Sequence, residues 1–78
     1  MISEQELLQI EKRVNDSQSG PWKAYIENRD HESGDSFIKT GSGEDLYVEG
    51  ATDADLDFIA NSRQDILKLI SEIRELKK

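Results

Sequence analysis

One stretch, TDADLDFIANSRQDILKLISEIRELKK (residues 52–78), decides the fold of this 78-residue chain. Apolar residues recur in it at helical spacing and form one stripe. The stripe consists of Leu56, Ile59, Ile66, Leu69, Ile70, Ile73 and Leu76. Thr52 suits the first position of a helix, while Lys77 and Lys78 suit the negative end of the helix dipole. We therefore predict one continuous amphipathic helix over residues 53–77.

The predicted helix is too long to be covered by a small sheet alone. About 25 residues at ~1.5 Å each extend roughly 37 Å, which exceeds the width of a sheet of three short strands. A heptad-like series along it, which Ser62 interrupts, consists of Ile59, Ile66, Leu69, Ile73 and Leu76. Two alternatives follow: either an N-terminal helix folds back on the last turns, or the C-terminal helices of two chains pair in a homodimer.

The segment before this helix, residues 22–49, has the twofold period of β-strands. Three runs are predicted strands, and polar, glycine-containing turns separate them. The runs are residues 22–27, 36–40 and 46–49. In the first, Trp22 and Ala24 share the inward face, so Trp22 is predicted to be a core residue. These features predict a three-stranded antiparallel meander.

The N-terminal segment, residues 3–16, is predicted to be the other helix. Ser3 and Glu6 have the spacing of a capping box, and the apolar residues from Leu7 onward recur at helical spacing. The whole chain, residues 1–78, is therefore predicted to be a single α+β domain of order α-β-β-β-α. In this fold the meander packs against the long C-terminal helix.

Residues 50–66, GATDADLDFIANSRQDI, resemble a recurring pattern. The pattern is similar to the Ala-Asp-x-x-Phe-Ile-Ala-x-x-Arg-x-Asp-Ile helix that follows a short meander in small uncharacterised bacterial and prophage proteins. Residues 29–31 and 33–38 also resemble that group. The resemblance implies a fold more than an activity, and it carries no catalytic or ligand residue over to this chain. It also implies a role in a mobile element, either interference with a host defence or regulation of a host machine.

Acidic residues outnumber basic ones by 17 to 10, which gives a net charge of −7. Residues 27–57 hold ten acids and two bases, a local net charge of −8, so the negative field concentrates on the sheet loops and the start of the second helix. Such a surface repels nucleic acids and anionic membranes and suits a basic patch on a protein. We therefore expect a basic protein partner, no direct nucleic-acid binding and no membrane binding.

The predicted partner-binding residues combine two tyrosines with nearby acids. The tyrosines are predicted on the strand faces opposite the apolar residues, which leaves a sheet surface open to a partner. The acids lie in the turn before the third strand and at the start of the second helix. The set consists of Tyr25, Tyr47, Glu44, Asp45, Asp53, Asp55 and Asp57.

The sequence contains no convincing arrangement of catalytic or metal-binding residues. His31 lies between Asp30 and Glu32, but a single imidazole does not make a typical zinc site, and the spacing matches no calcium loop. The chain has no cysteine, and residues 41–43, Gly-Ser-Gly, lack the lysine of a phosphate loop. We therefore predict no enzymatic activity, no metal and no cofactor. A cytoplasmic location is expected, since no signal peptide is visible.

The sequence thus predicts a small, acidic, non-enzymatic interaction module, from a mobile element and acting on a host protein. The alternative is a small-molecule sponge of anti-defence type formed by an oligomer. In that alternative, the N-terminus of the second helix and Arg63 hold a nucleotide-like anion. Asp53, Asp55 and Asp57 count against it, because they would repel the anion.

Overall fold

A computed structural model describes residues 1–32 and 34–78, and within them it has two helices and a three-stranded sheet. The elements are α1 (Glu4–Asp16), β1 (Lys23–Tyr25), β2 (Phe37–Lys39), β3 (Asp45–Leu46) and α2 (Asp53–Leu76). The sheet is an antiparallel meander with strand order β1-β2-β3. The predicted α+β fold, with the element order α-β-β-β-α, is confirmed.

Both helices begin at the capping residues that the sequence indicates. The Glu6 N–H donates to Ser3 Oγ at 3.1 Å, and the Ser3 N–H donates to the Glu6 carboxylate at 3.2 Å. Thr52 and Asp55 form the same reciprocal pair, with distances of 3.1 and 3.0 Å. Each pair satisfies amides that the first helical turn leaves without a partner. From its cap, α2 runs unbroken for 24 residues.

The strands are shorter than the sequence predicts. β3 ends at Leu46, whereas the predicted strand covers residues 46–49. Directly after it the Ala51 N–H donates to the Val48 carbonyl at 3.3 Å, and Gly50 has a φ of 83°, so a turn takes up these residues. Glycine adopts this left-handed backbone without steric cost. The turn returns the chain toward the start of α2.

The core lies between one face of the sheet and the N-terminal half of α2. Its buried residues are Ala24, Ile26, Ile38, Leu56 and Ala60. Trp22 packs at the edge of this core, as predicted, and its indole N–H donates to the Gln18 carbonyl at 3.0 Å. The Gln64 side chain of α2 accepts the Trp22 N–H at 2.8 Å and donates to the Trp22 carbonyl at 3.0 Å. These bonds attach β1 to the middle of α2.

The C-terminal half of α2 packs against α1. Leu7 of α1 and Ile70 of α2 are almost fully buried. Arg74 pairs with Glu11 at 2.7 Å and with Glu4 at 3.4 Å, and this pairing holds the pKa of Glu11 below its ordinary value. The N-terminal helix therefore folds back on the C-terminal helix within one chain, and this packing leaves Leu69 and Leu76 of α2 exposed.

α2 has two apolar stripes rather than the single stripe that the sequence predicts. Leu56, Ala60 and Ile70 face the sheet and α1 and are buried. Leu69 and Leu76, predicted on the same stripe, are 61% and 83% exposed. The predicted stripe is thus divided into a buried part and an exposed part, because the sheet and α1 lie on the same side of α2 and cover a narrow part of its surface.

The molecule is elongated, with principal extents of 48 × 20 × 19 Å. Its radius of gyration is 14.8 Å, whereas a compact chain of this length has about 11.5 Å. The length of α2 accounts for the difference, because 24 residues extend about 36 Å. Neither described helix is long and apolar enough to cross a membrane.

Candidate partner-binding surface

The sheet face opposite α2 carries three aromatic side chains in contact, which we call the aromatic row: Tyr25, Phe37 and Tyr47. The Phe37 ring lies 5.5 Å from the Tyr25 ring with an interplanar angle of 7°, and 5.6 Å from the Tyr47 ring at 37°. Tyr25 and Phe37 are register partners of β1 and β2. Such contacts are favourable beyond the area that they bury. The open face therefore presents a preformed aromatic surface.

The two predicted tyrosines are brought together by Phe37, a residue that the sequence analysis missed. Tyr47 is 62% exposed, and Tyr25 and Phe37 are half-buried. Because Ile38 is fully buried, strand alternation places Phe37 on the opposite, open face. That alternation is visible in the sequence, but the contact with both tyrosines depends on the strand register. The His31 ring lies 5.7 Å from Phe37 and extends the cluster.

One edge of the aromatic row carries two lysines beside an aspartate. Lys23 and Lys39 are register partners, and Asp45 lies opposite Lys39 on the other side. The Lys23 ammonium lies 5.1 Å from the centre of the Tyr25 ring, within the range of a cation–π contact. Of the predicted residues, Glu44 lies in the β2–β3 turn and Asp45 lies at this edge.

The other end of the row, at Tyr47, opens into a cleft of about 520 Å³, which we call the acidic cleft. Its walls are Asp35, Ser36, Tyr47, Val48, Glu49, Ala51, Asp53 and Leu56. Within residues 1–32 and 34–78, no lysine or arginine forms a salt bridge with Asp35, Glu49 or Asp53. The cleft therefore combines three uncompensated carboxylates with an apolar floor.

The acids of the α2 N-terminus have different roles. Asp53 lines the acidic cleft, and Asp55 completes the helix cap. Asp57 accepts two hydrogen bonds from Arg29, at 2.9 and 3.0 Å, so its charge is already compensated. Of the predicted set, the structure thus brings together Tyr25, Tyr47 and Asp53. Asp35 and Glu49, which complete the cleft, were not in the predicted set.

Arg29 also holds the loop after β1 against α2. Its guanidinium keeps the pKa of Asp57 below the ordinary value, and the two carboxylates that it binds raise its own pKa. Asp30 accepts the Ile26 N–H at 2.9 Å and pairs with Arg29 at 3.0 Å. The hydrogen bond from the Ile26 backbone lowers the pKa of Asp30 most, and the contact with Arg29 lowers it further.

We expect these lowered pKa values to make the fold acid-sensitive. The stabilisation is present above the ordinary aspartate value of 3.8 and is lost as pH falls through the lower folded-state pKa values. The melting temperature should therefore decrease as the pH is lowered below about 4. This decrease should be smaller in Arg29→Gln, because the variant lacks the cation. Thermal unfolding between pH 7 and pH 2 measures this. Lys68→Gln is the control, and an acid profile of Arg29→Gln identical to wild type would contradict the expectation.

The nucleotide site predicted at the start of α2 is not assembled within one chain. Arg63 lies eleven positions after Thr52, about 16 Å along the helix axis. Its Nε donates to the Gln18 carbonyl at 3.2 Å, which commits it to the connector between α1 and β1. Two amides at the helix start, those of Thr52 and Asp55, are already bonded within the capping box.

The structure gives no support to a metal or catalytic site at His31. Among the described residues, no three histidine, aspartate or glutamate side chains are grouped so that they could hold a metal ion. Ser33, one of the serines near His31 in the sequence, lies outside the described residues. The His31 ring contributes instead to packing beside Phe37.

No protein-family model, curated protein or solved structure matches this chain. Function must therefore be argued from the surface itself. Two adjacent features of this surface bear on function. They are the aromatic row and the acidic cleft, and Tyr47 belongs to both.

Proposed function

We propose that the protein is a non-enzymatic interaction module that binds a basic segment of a partner protein in the cytoplasm. The observation that supports this is the acidic cleft, in which Asp35, Glu49 and Asp53 face a shared space without a cationic partner among the described residues. Uncompensated carboxylates around an apolar floor are complementary to lysine or arginine side chains.

The chemistry of the cleft fits a long basic side chain in two parts. The methylene stem of a lysine or arginine packs on Val48 and Ala51, and its charged end bonds to the cleft carboxylates. The ring of Tyr47, which is 62% exposed, offers a cation–π contact at the same place. Recognition of this kind is steered by charge, so affinity should fall as ionic strength rises.

The surrounding field favours the same partner. Residues 27–57 carry a local net charge of −8, and all the residues that line the cleft belong to this range. A basic protein surface is attracted by that field, whereas nucleic acid and anionic lipid are repelled.

A short peptide in which lysine and alanine alternate is the probe for this proposal. Titrated into isotope-labelled protein, it should shift the amide resonances of Tyr47, Glu49 and Asp53 most strongly. The double variant Glu49→Gln/Asp53→Asn should weaken binding about tenfold, since two partly exposed charge pairs together contribute about 1–2 kcal/mol. NMR titration gives both the site and the affinity.

The matched control is Glu72→Gln/Glu75→Gln, which removes the same charge near the other end of α2. This variant should bind the peptide almost as tightly as wild type. If both double variants weaken binding equally, or if the shifts spread evenly over the acids of α1 and α2, then general charge attraction explains the binding and the proposed cleft does not.

A second candidate function is favoured by the two lysines at one edge of the aromatic row. Nucleobases stack on aromatic side chains of open sheets, and Lys23 and Lys39, which are register partners beside Tyr25 and Phe37, offer cations to a phosphate of such a ligand. A nucleotide that prefers the folded state must raise its melting temperature. A thermal-shift series with nucleotides, repeated on Lys23→Gln/Lys39→Gln, tests this candidate. No stabilisation of the wild type at millimolar nucleotide would exclude it.

A further inference from the structure

α2 exposes a second apolar stripe on the side away from the sheet and α1, which we call the outer stripe. Its members are Phe58, Ser62, Ile66, Leu69, Ile73 and Leu76. Phe58, Leu69 and Leu76 are 75%, 61% and 83% exposed. From Ser62 onward the positions alternate steps of four and three residues, which is the spacing of a coiled-coil seam. The stripe includes four of the five residues of the predicted oligomer seam, while Ile59 packs on the core of its own chain.

The outer stripe is bordered by shallow grooves along most of its length. A groove of about 540 Å³ runs from Asp57 to Leu69. A smaller one of about 230 Å³ lies between the chain start, at Met1 and Ile2, and the last turns of α2. Both grooves expose mainly apolar surface, which a facing helix can cover.

We propose that a second copy of this chain covers the outer stripe, with its α2 antiparallel to the first. Charge selects this occupant and its direction. The first turns of α2 carry Asp53 and Asp55, and Lys77 and Lys78 directly follow its last residue. Antiparallel pairing places these lysines near the acids of the other chain. It also sets the two helix dipoles side by side in opposite directions, which is favourable. Parallel pairing would place like charges together at both ends.

The spacing of the stripe also fits this arrangement. In antiparallel register, Ile66 lies against Leu69 of the partner subunit, and Ser62 lies against Ile73 of the partner subunit. The twofold axis then crosses α2 between Leu67 and Lys68, so both copies use the same surface. The outer stripe and the acidic cleft share no residue, although Asp53 of the cleft then also lies near the C-terminal lysines of the second copy.

Solution mass tests the dimer directly. Light scattering should give about twice 8.9 kDa for the wild type at micromolar concentration, and 8.9 kDa for Leu69→Glu with unchanged helix content by circular dichroism. Leu8→Glu is the matched control, since Leu8 is 53% exposed on α1, outside the stripe, and this variant should remain dimeric. A monomeric wild type, or loss of the dimer in both variants, would overturn the proposal.

Cysteine cross-linking tests the direction of pairing, and the chain has no native cysteine that would compete. Ser62→Cys and Ile73→Cys should form a disulfide when the two variants are mixed, and neither should do so alone. In the antiparallel register, identical positions lie eleven residues apart along the helix axis, about 16 Å, too far for a disulfide. A cross-linked dimer of either variant alone would show parallel pairing and contradict the proposed direction.

Discussion

Replacing Ile38 with Ala is expected to lower the free energy of unfolding by about 2–5 kcal/mol. Ile38 is fully buried in the central strand of the sheet, where its side chain packs in the core formed with Leu56 and Ala60 of α2. A cavity there has little room to collapse, because strands border it on two sides and a helix on the third. In a domain of this size the melting temperature should fall by about 10 °C or more.

Thermal denaturation followed by circular dichroism measures this effect at a fixed protein concentration, since dimerisation would make the melting temperature concentration-dependent. Leu8→Ala is the control, because Leu8 is 53% exposed and its truncation should change stability by no more than about 0.5 kcal/mol. Equal losses from Ile38→Ala and Leu8→Ala would show that the core is not where the structure places it.

Gly41→Ala is expected to cause the other large loss of stability, about 1–3 kcal/mol. Gly41 approaches the connector between α1 and β1 so closely that its N–H donates to the Ser19 carbonyl at 2.7 Å. A Cβ at this position would collide with the Gly20 carbonyl and lie 2.9 Å from the Ser19 carbonyl oxygen. Both contacts are with backbone, so the connector has to move and the hydrogen bond is lost. Chemical denaturation gives the change in unfolding free energy.

Gly20→Ala is the matched control for this close approach. A Cβ there would meet the Arg63 side chain at 3.3 Å, and that long side chain can shift by a few tenths of an ångström. We therefore expect Gly20→Ala to be close to neutral. A Gly20→Ala variant as unstable as Gly41→Ala would mean that the connector, rather than the approach of Gly41 to it, determines the loss.

Local signals predicted the elements of this fold well, because short-range contacts determine them. The capping pairs at Ser3 and Thr52 are complete within three residues of sequence, and both helices begin there. The end of β3 was mispredicted because the turn at Gly50 competes with the strand. The buried face of α2 was only partly predictable, because apolar residues occupy a wide arc of the helix. Tertiary neighbours then decide that Ala60 is buried and Leu69 is exposed.

The candidate site was less predictable, because it depends on contacts between distant residues. Tyr25 and Tyr47 were identified from strand alternation, but their link through Phe37 requires the register of both hairpins. The acidic cleft gathers side chains from the loop before β2, the turn after β3 and the first turn of α2. Arg29 binds Asp57, 28 positions away, so the charge of this predicted partner-binding acid is already compensated. No pattern in the sequence indicates that pairing.

The central claim is that the surface around Tyr47 binds a basic protein segment, and site-specific photo-cross-linking tests it most directly. A benzoylphenylalanine in place of Tyr47, in cells that contain the natural partner, should form an adduct with another protein at a segment rich in lysine or arginine. Glu49→Gln/Asp53→Asn should reduce that adduct, and the Glu72→Gln/Glu75→Gln control should not. No adduct, or adducts at segments without a basic cluster, would contradict the claim.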